Sequence, residues 1–478
     1  MKNHLLLTLA LFLSISLYAQ EKGKPITIGY ETELESKVLG ETRPLLIHLP
    51  DNYEGSDRTY PVVYLLDGHG HFHHTTGTMR FLSRSDRMPE AIVVGIPNTK
   101  DRTRDLTPPE TGEEKQWPTA GGADNMLEFM GSELIPYIDQ NYRTTPYKVL
   151  IGHSFGGLFA IHALVHRPEL FDAYLAISPS LWWDNQLLVE QAETFLEENP
   201  EHKAKLYMTM GDEGGAMLGG AWKLAAILEE KAPESLEWEF HLMEAEDHGS
   251  IPHRSTYNGF ETLFSDWRLK DPLAVYEQGG LEAIQAHYAK LQQTYGGKEA
   301  KAPEGMINSL GYYLLNNDKV DEAIEVFAQN VKDYPKSSNV YDSLGEGYKV
   351  KGEKQKAVEY YKKSLELNPG NTNAVKMLAE MGVEYKAKEV KVAQKVLKTY
   401  VGKYEVEPGM SVSVTLEDGK LYGQPSGGEK AQLIPMAQNK FYLNEENIQA
   451  EFHPNDQKEV DRITIYMGEQ VLEAKRLK

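Results

Sequence analysis

Short apolar runs alternate with longer amphipathic stretches over the first half of the chain. Several runs are apolar throughout, as strands covered on both faces of a parallel sheet are. The stretches between them have helical spacing, for example Ala123–Tyr142. The pattern predicts an α/β domain with a mostly parallel central sheet, ending near Lys270. The seven predicted strands are Arg43–Pro50, Pro61–Leu66, Ala91–Ile96, Tyr147–Gly152, Ala173–Ser178, Lys205–Gly211 and Glu237–Met243.

A 34-residue repeat begins after Asp271, where the β-rich runs stop. Small, aromatic and proline residues that recur at this period are typical of the tetratricopeptide repeat. Two repeats are recognisable, whereas a stable stack needs roughly three. We therefore predict an α-helical repeat module over residues 271–385 that packs against its neighbours. The recurring pairs are Leu310 and Leu344, Gly311 and Gly345, Ala323 and Ala357, Phe327 and Tyr361, and Pro335 and Pro369.

The last part of the chain changes to apolar–polar alternation with a period of two. The stretch "MSVSVTLEDGKLYGQ" shows it, and Glu417–Gly419 within that stretch is typical of a hairpin turn. Residues 396–478 are therefore predicted to form a small all-β domain. The segment resembles the β-rich C-terminal domain that is appended to some secreted serine hydrolases.

The N-terminal residues have the pattern of a secretory signal. Lys2 and His4 precede an apolar run from Leu5 to Leu17, and cleavage is expected near Ala19. The run is short for a membrane span, which needs about 20 apolar residues. We therefore expect a signal peptide over residues 1–19, an α/β domain over 20–270, and a periplasmic or secreted protein without a membrane span.

Composition and charge narrow the chemistry. The chain has no cysteine, which removes disulfides, thiolate metal sites and cysteine nucleophiles. Its formal net charge of −21 argues against a nucleic-acid partner, because phosphate binding needs basic patches.

The stretch "IGHSFGGLFA" carries the strongest chemical signal. Ser154 has Gly152 two residues before it and Gly156 two residues after it, which matches G-x-S-x-G. An apolar strand precedes the motif and a helical stretch follows it. A serine hydroxyl that projects above a sheet from such a sharp turn needs small neighbours at both glycine positions. We predict that Ser154 is a nucleophile; the alternative is a glycine-rich connection without chemistry.

A serine nucleophile needs a histidine base that a carboxylate orients, and in this fold the chain order is Ser, acid, His. His248 follows the last predicted strand, with His253 as a nearby competitor. Asp212 and Glu213 stand side by side after the preceding strand, and we favour Glu213, with Asp212 as the alternative. Glu246 and Asp247 lie close to His248 in sequence, but a neighbour along a loop seldom has the geometry to support the ring.

An oxyanion hole needs two backbone N–H groups. Phe155 is predicted to supply one, and Gly68 or His69, in a loop after the second predicted strand, the other. That loop, Leu65–His74, also carries a cluster of histidines. A metal site is the alternative interpretation, but alternate spacing without matched carboxylates is a weak signal, and we expect a polar pocket rim and no cofactor. The clustered histidines are His69, His71, His73 and His74.

Six ordered blocks resemble the esterase branch of the α/β-hydrolases that contains enterochelin, feruloyl and acetylxylan esterases. They are "YPVVYLLDG", "RTRDLTPP", "GGADNMLEFMGSELIPYI", "GHSFGGLFA", "SPSLWWD" and "DHGSIPHRSTYNGF". The resemblance is closest to the enterochelin-esterase-like proteins. It implies Ser154 as nucleophile, His248 as base and an acid at Asp212 or Glu213.

The same resemblance places Arg102, Arg104 and Asp105 near the mouth of the cleft. Arginine there is suited to an anionic or catecholate group, and a structural salt bridge of Arg104 is the alternative. Trp182 and Trp183 are expected to form an aromatic wall for a ring or a sugar, or else to pack within a cap.

We therefore expect an exported serine esterase that forms an acyl-enzyme on a siderophore-type or polysaccharide-linked ester. One alternative is a non-catalytic binding or assembly protein that recruits a protein partner through its repeats. The other is an acyltransferase with the same triad.

Overall fold

The computed structural model describes residues 26–51, 53–99, 101–112, 116–296, 301–386, 390–407, 409–443, 448–455, 459–467 and 470–477. The predicted signal peptide, residues 1–19, lies outside the described residues. No described helix is both long enough and apolar enough to cross a membrane.

An eight-stranded sheet forms the centre of the first half of the chain. Its strand order is β1-β2-β4-β3-β5-β6-β7-β8. The β1–β2 and β2–β4 pairings are antiparallel, and every pairing from β4 through β3 to β8 is parallel. The predicted mostly parallel α/β fold is confirmed. The strands are β1 Tyr30–Ser36, β2 Glu41–His48, β3 Tyr60–Leu66, β4 Ile92–Ile96, β5 Thr144–His153, β6 Ala173–Ile177, β7 Ala204–Gly211 and β8 Leu236–Met243.

Helices cover both faces of this sheet because the side chains of its strands alternate between the faces. In β3, Tyr64 packs with the layer of α3, α5, α6 and α7, whereas Val63 and Leu65 pack with the layer of α1 and α8. A π-helical turn, Met130–Leu134, joins α3 to α4 within the predicted helix Ala123–Tyr142. The helices are α1 Gly68–Arg84, α2 Arg102–Leu106, α3 Ala123–Phe129, α4 Ile135–Asn141, α5 Phe155–His166, α6 Leu187–Glu198, α7 Gly215–Lys231 and α8 Ile251–Leu263.

The histidine-rich segment after β3 is a helix, so the prediction of a loop over Leu65–His74 was wrong. Asp67 adopts a left-handed conformation with φ 53° and ends the strand, and α1 begins at the next residue. Phe72, Met79 and Leu82 are buried at helical spacing against the sheet. The polar histidines between them hide this spacing in the sequence.

The repeat module stacks helices in pairs, and its first helix packs on the α/β core. Gly311 lies against the ring of Phe327, and Gly345 lies against Tyr361 in the same way, so the 34-residue period repeats a packing contact. Tyr295, at the end of α9, packs on Tyr147 with ring centroids 4.7 Å apart. The division of the chain at residues 270 and 271 stays a prediction. The helices are α9 Pro272–Tyr295, α10 Glu304–Asn316, α11 Val320–Asp333, α12 Ser338–Lys351, α13 Lys354–Leu367 and α14 Thr372–Glu380.

The C-terminal residues form a closed, antiparallel, eight-stranded barrel, which confirms the predicted all-β domain. β9 lies between β10 and β16 and closes the ring, with Lys475 opposite Glu405 and Arg476 opposite Tyr404. A short helix, α15 Gln394–Tyr400, precedes the barrel. The strands are β9 Gly402–Glu407, β10 Met410–Glu417, β11 Lys420–Pro425, β12 Ala431–Pro435, β13 Lys440–Leu443, β14 Ile448–Pro454, β15 Val460–Met467 and β16 Gln470–Arg476.

Candidate active site

Ser154 occupies a strained turn between β5 and α5. Its backbone has φ 63° and ψ −116°, a conformation that L-residues rarely adopt. Two hydrogen bonds hold the turn: the Ser154 N–H donates to the carbonyl of Ile177 at 2.9 Å, and its carbonyl accepts from the Ser180 N–H at 3.2 Å. The end of β6 therefore fixes the turn that carries the serine.

Close backbone approaches require glycine at Gly152, the first glycine of the motif, and at Gly157, the residue after its second glycine. A Cβ on Gly152 would lie 2.0 Å from the carbonyl oxygen of Gly156, and a Cβ on Gly157 would lie 2.8 Å from that of Ile177. Both distances are too short for a side chain. The sequence pattern therefore matches the sharp strand-to-helix turn that projects a serine from the sheet edge.

His248 is held by Glu213. His248 follows β8, and Glu213 follows the neighbouring strand β7. The Nδ1 atom of His248 is 2.5 Å from Oε2 of Glu213. The Glu213 side chain is only 6% exposed, whereas that of His248 is 43% exposed. A buried carboxylate on Nδ1 fixes the tautomer in which Nε2 can accept a proton.

The other carboxylates near His248 have different partners or positions. Asp212 is exposed, and its backbone N–H bonds the carbonyl of Glu246. The Asp247 carboxylate accepts from the backbone N–H groups of Gly249 and Ser250, which closes a local turn. Glu246 accepts from the hydroxyl of Ser250. The structure thus brings Glu213, rather than its alternatives, to the ring.

Ser178, the residue after the neighbouring strand β6, supports Glu213. Its hydroxyl donates to Oε1 of Glu213, the oxygen that does not face the histidine. Ser178 is fully buried and has a positive φ of 41°, and its backbone N–H donates to the carbonyl of Thr209 at 2.8 Å. One buried hydroxyl therefore orients the carboxylate that orients His248.

Two helix N-termini meet beside Ser154. Phe155 is the first residue of α5, and Gly68 and His69 are the first residues of α1. The first N–H groups of a helix have no acceptor within it and favour negative charge. A Cβ on Gly156 would lie 3.1 Å from the Asp67 carboxylate, so the two helix starts are neighbours. Both helix starts therefore present backbone N–H donors near the serine turn.

An ion pair holds the start of α1 in place. Arg102 donates from Nε and Nη2 to the two carboxylate oxygens of Asp67 at 2.5 and 2.9 Å, and from Nη2 to the carbonyl of His153 at 3.0 Å. Burial would raise the pKa of Asp67, but its hydrogen bonds to Arg102 and Asn98 lower the pKa below the usual range. This anion and cation link α1, α2 and the strand that leads to Ser154.

Arg102 also lines a cavity next to the serine turn. The cavity has a volume of about 310 Å³ and is lined by polar groups, which include Asn98, His69, His71 and His153. The guanidinium group lies 5.5 Å from the ring centre of Phe155. The predicted position of Arg102 near a cleft therefore agrees with the structure, although one edge of the guanidinium group is occupied by Asp67.

Arg104 lies in an ion-pair cluster away from this cavity. It donates to Asp105 at 2.7 Å and to Glu41 at 2.8 Å, and the buried Arg43 pairs with the same two carboxylates. Hydrogen bonds to Glu41 and Asp105 raise the pKa of Arg104. The structure favours the salt-bridge alternative for Arg104 over contact with a substrate.

The two tryptophans differ in exposure. Trp183 is buried and donates from Nε1 to the carbonyl of Pro108 at 3.2 Å, which is cap packing. Trp182 is half-buried and lies 6.2 Å from Phe155 between ring centres. Trp117, which the sequence did not single out, completes the aromatic group at 5.8 Å from Phe155.

A row of imidazoles, several of them half-buried, extends from His248 towards α1 and α8. His153 lies 4.6 Å from His248 between ring centres, and burial and the charge of His248 lower its pKa to about 3. His71 and His74 follow, joined by a 3.0 Å contact, and the ring of His253 on α8 lies 5.3 Å from that of His74. Among the described residues, no three potential ligand side chains are grouped so that they could hold a metal ion.

Sequence reasoning missed Asp67, Asn98, His153 and Ser178. Three of them directly follow or end a buried strand, and carboxyl ends of parallel strands meet at one edge of the sheet. Their position at that edge was the available signal. The partners of these residues could not be predicted, because hydrogen bonds between strands that are distant in sequence leave no local pattern.

Comparisons with known proteins agree with this architecture. A family model described as "Putative esterase" matches residues 36–267, one described as "Tetratricopeptide repeat" matches 338–371, and a "Domain of unknown function (DUF3471)" matches 386–476. A solved structure of an IroE-like serine hydrolase from Shewanella oneidensis is 30% identical, with a TM-score of 0.53, and the match covers 63% of this chain and 98% of that one.

Two curated relatives match part of the α/β domain. A siderophore enterobactin esterase of Emericella nidulans is 36% identical over 168 residues, 30% of this chain and 54% of that protein. The ferri-bacillibactin esterase BesA of Bacillus subtilis is 32% identical over 157 residues, 29% of this chain and 53% of that protein. The chain thus spans about half the length of these relatives.

The mostly parallel sheet and the turn that carries Ser154 are those of the α/β-hydrolase fold. The chain belongs to the esterase family whose model spans its α/β domain.

Proposed function

We propose that this protein is a serine esterase that cleaves siderophore esters through an acyl-enzyme. The observation that carries the proposal is the pairing of His248 with the buried Glu213. The ring of His248 lies 4.6 Å from that of His153, the residue that precedes Ser154 on its strained turn. The names of the curated relatives supply the substrate class. Membership of the esterase family supports ester cleavage.

The geometry supports a two-step reaction. The Ser154 hydroxyl attacks the ester carbonyl while Nε2 of His248 accepts its proton, and Glu213 stabilises the resulting imidazolium. The oxyanion accepts hydrogen bonds from the N–H of Phe155 and from that of Gly68 or His69. His248 then protonates the leaving alcohol, and the acyl group stays on Ser154. Water, deprotonated by His248, releases the acid and restores the serine.

The cavity beside Arg102 is proposed to hold the part of the substrate next to the ester. Its polar lining and the guanidinium group suit an anionic or catecholate group. Because Arg102 also holds Asp67, replacement by lysine is expected to raise KM and to lower kcat. Replacement of a cavity residue that does not also hold the start of α1 is expected to change KM alone.

Export is also proposed, on the basis of the apolar run Leu5–Leu17 after Lys2. N-terminal sequencing of protein recovered from outside the cytoplasm is expected to begin near residue 20. An intact N-terminus on correctly folded extracytoplasmic protein would contradict cleavage.

A substrate panel tests the activity. Purified full chain is incubated with enterobactin, a feruloyl ester and a short aryl ester, beside Ser154→Ala. Cleavage of enterobactin with the highest kcat/KM, lost in the variant, is the expected result. A preference for the feruloyl ester would contradict siderophore esters as the substrate class. If folded protein cleaved none of the esters, the proposed esterase activity would be contradicted. Product analysis with added alcohols separates hydrolysis from acyl transfer.

A further inference from the structure

The C-terminal barrel contains a cavity that the proposed activity does not use. The cavity has a volume of about 170 Å³ and lies inside the closed ring of strands. All fifteen residues that line it are apolar or glycine, and no polar side chain of the described residues contributes to the lining. Folded interiors contain few voids larger than a water molecule, so an apolar void of this size is unusual for a core that serves packing alone.

One end of the barrel is closed by aromatic packing. Tyr400, at the end of α15, stacks on Phe452 with ring centroids 4.3 Å apart, and Phe441 packs on both rings. Leu397 on the same helix joins this cluster. Phe452, which lines the cavity, therefore forms its floor, and the other two rings pack against Phe452.

At the other end, the described lining residues become more exposed. Along β10 the inward-facing side chains change from Met410, which is 43% exposed, through the half-buried Val412 to Val414 at 2%. The inward-facing residues of β15 follow the same order, from the half-buried Met467 to Ile463 at 1%. Both gradients place the mouth at the Met410 and Met467 end.

We propose that this barrel binds the hydrocarbon part of a small amphiphile, a group of about six carbons, with the polar end left in water at the mouth. An apolar cavity of about 150 Å³ is known to stay dry and to bind benzene, which sets this size. Eight-stranded barrels have interiors wide enough for one small ligand. A charged or hydrogen-bonding group would find no described side-chain partner inside, so only hydrocarbon enters. The inference does not rest on the esterase proposal.

Methionine methyl groups provide the readout. Full-length protein labelled with ¹³C at methionine methyls is titrated with 1-hexanol, with ethanol as the short-chain control. The methyl signals of Met410 and Met467 are expected to shift and saturate with hexanol and not with ethanol. Met436 lies in the turn after β12, outside the lining, and its signal is expected to stay fixed. Equal shifts at Met436, or no saturable shift at Met410 and Met467, would overturn the proposal.

A matched pair of variants tests the cavity itself. Gly423 lines it, and a Cβ there would lie 3.7 Å from Leu433, an ordinary contact, so Gly423→Leu is expected to fill the void. Its neighbour Gln424 is exposed, and Gln424→Leu adds the same side chain outside. Hexanol binding is expected to weaken at least tenfold in the first variant and not in the second. Should Gly423→Leu fail to fold, Ala450→Val fills the same space; unchanged binding in a folded filling variant would contradict the site.

Discussion

The site beside Ser154 and the interior of the C-terminal barrel differ in the chemistry of their buried side chains. At the serine turn, two carboxylates are paired with side-chain donors: Asp67 with Arg102, and Glu213 with His248 and Ser178. In the barrel the lining is apolar. Single atoms should therefore control behaviour at the first site, because each hydrogen bond has a fixed partner, whereas volume should control it in the second.

The largest effect is expected from one oxygen atom. Ser154→Ala removes the proposed nucleophile and should lower kcat by a factor on the order of 10⁵–10⁶ while the protein stays folded. Steady-state kinetics with the best ester of the panel, together with a melting curve, measures this. A folded Ser154→Ala variant with near-normal kcat would contradict the nucleophile.

The next effect separates two adjacent carboxylates. Glu213→Gln leaves the shape of the side chain but removes its charge, so His248 loses its fixed tautomer and the stabilisation of its protonated form. We expect kcat to fall by a factor of about 10²–10⁴. Asp212→Asn is the matched control, and its exposed side chain should matter little. A larger loss in well-folded Asp212→Asn would reverse the assignment.

A smaller effect is expected at the residue that positions Glu213. Ser178→Ala removes one hydrogen bond to the carboxylate, which corresponds to about a tenfold loss of kcat with little change in KM. Ser255→Ala is the control, because this serine is equally buried and bonds Thr209 instead. A loss of stability without a change in kcat would assign Ser178 a structural role alone.

The free energy of unfolding should fall at acid pH because of the half-buried His74. Burial and the nearby His71 and His253 lower the pKa of His74 to about 4. Between pH 6.5 and 4 the unfolded chain therefore binds a proton that the folded protein does not, so the free energy of unfolding falls as the pH falls, by up to about 1.4 kcal/mol per pH unit.

Denaturant titrations at pH 7 and pH 5 measure this fall. His74→Gln should lose less stability between the two pH values than the wild type. His241→Gln is the control, because His241 is an exposed histidine on β8. Equal pH dependence in His74→Gln and the wild type would contradict the assignment.

The stability of the barrel should depend on the volume of its buried side chains. Ile463→Val removes one buried methylene group and is expected to lower the free energy of unfolding by about 1 kcal/mol, without a change in kcat. Val471→Ala removes more carbon from an exposed position, 38% accessible, and should cost less. A drop in kcat from Ile463→Val would show that the barrel and the serine site are coupled.

The sequence predicted those features that leave a local pattern. Buried strands are apolar runs, the serine turn is bounded by glycines, and the repeat pairs Gly311 with Phe327 one period before Gly345 with Tyr361. The choice of Glu213 over Asp212 rested on the expectation that neighbouring side chains point in different directions, which the hydrogen bond to His248 supports.

Other features depend on contacts that are distant in sequence. The edge strand β1 reads "YETELES", and its glutamates gave no strand signal. Helix α1 looked like a loop because histidines separate its buried residues. The closure of the barrel joins Lys475 to Glu405 across 70 residues, and no alternation within one strand encodes that pairing.

The most direct test of the central claim is to locate the reactive residue. Full-length protein is incubated with a fluorophosphonate and digested, and the labelled peptide is mapped by mass spectrometry. The adduct is expected on Ser154, with labelling absent in Ser154→Ala and strongly reduced in Glu213→Gln. An adduct on another residue, or labelling that persists in Ser154→Ala, would contradict the account.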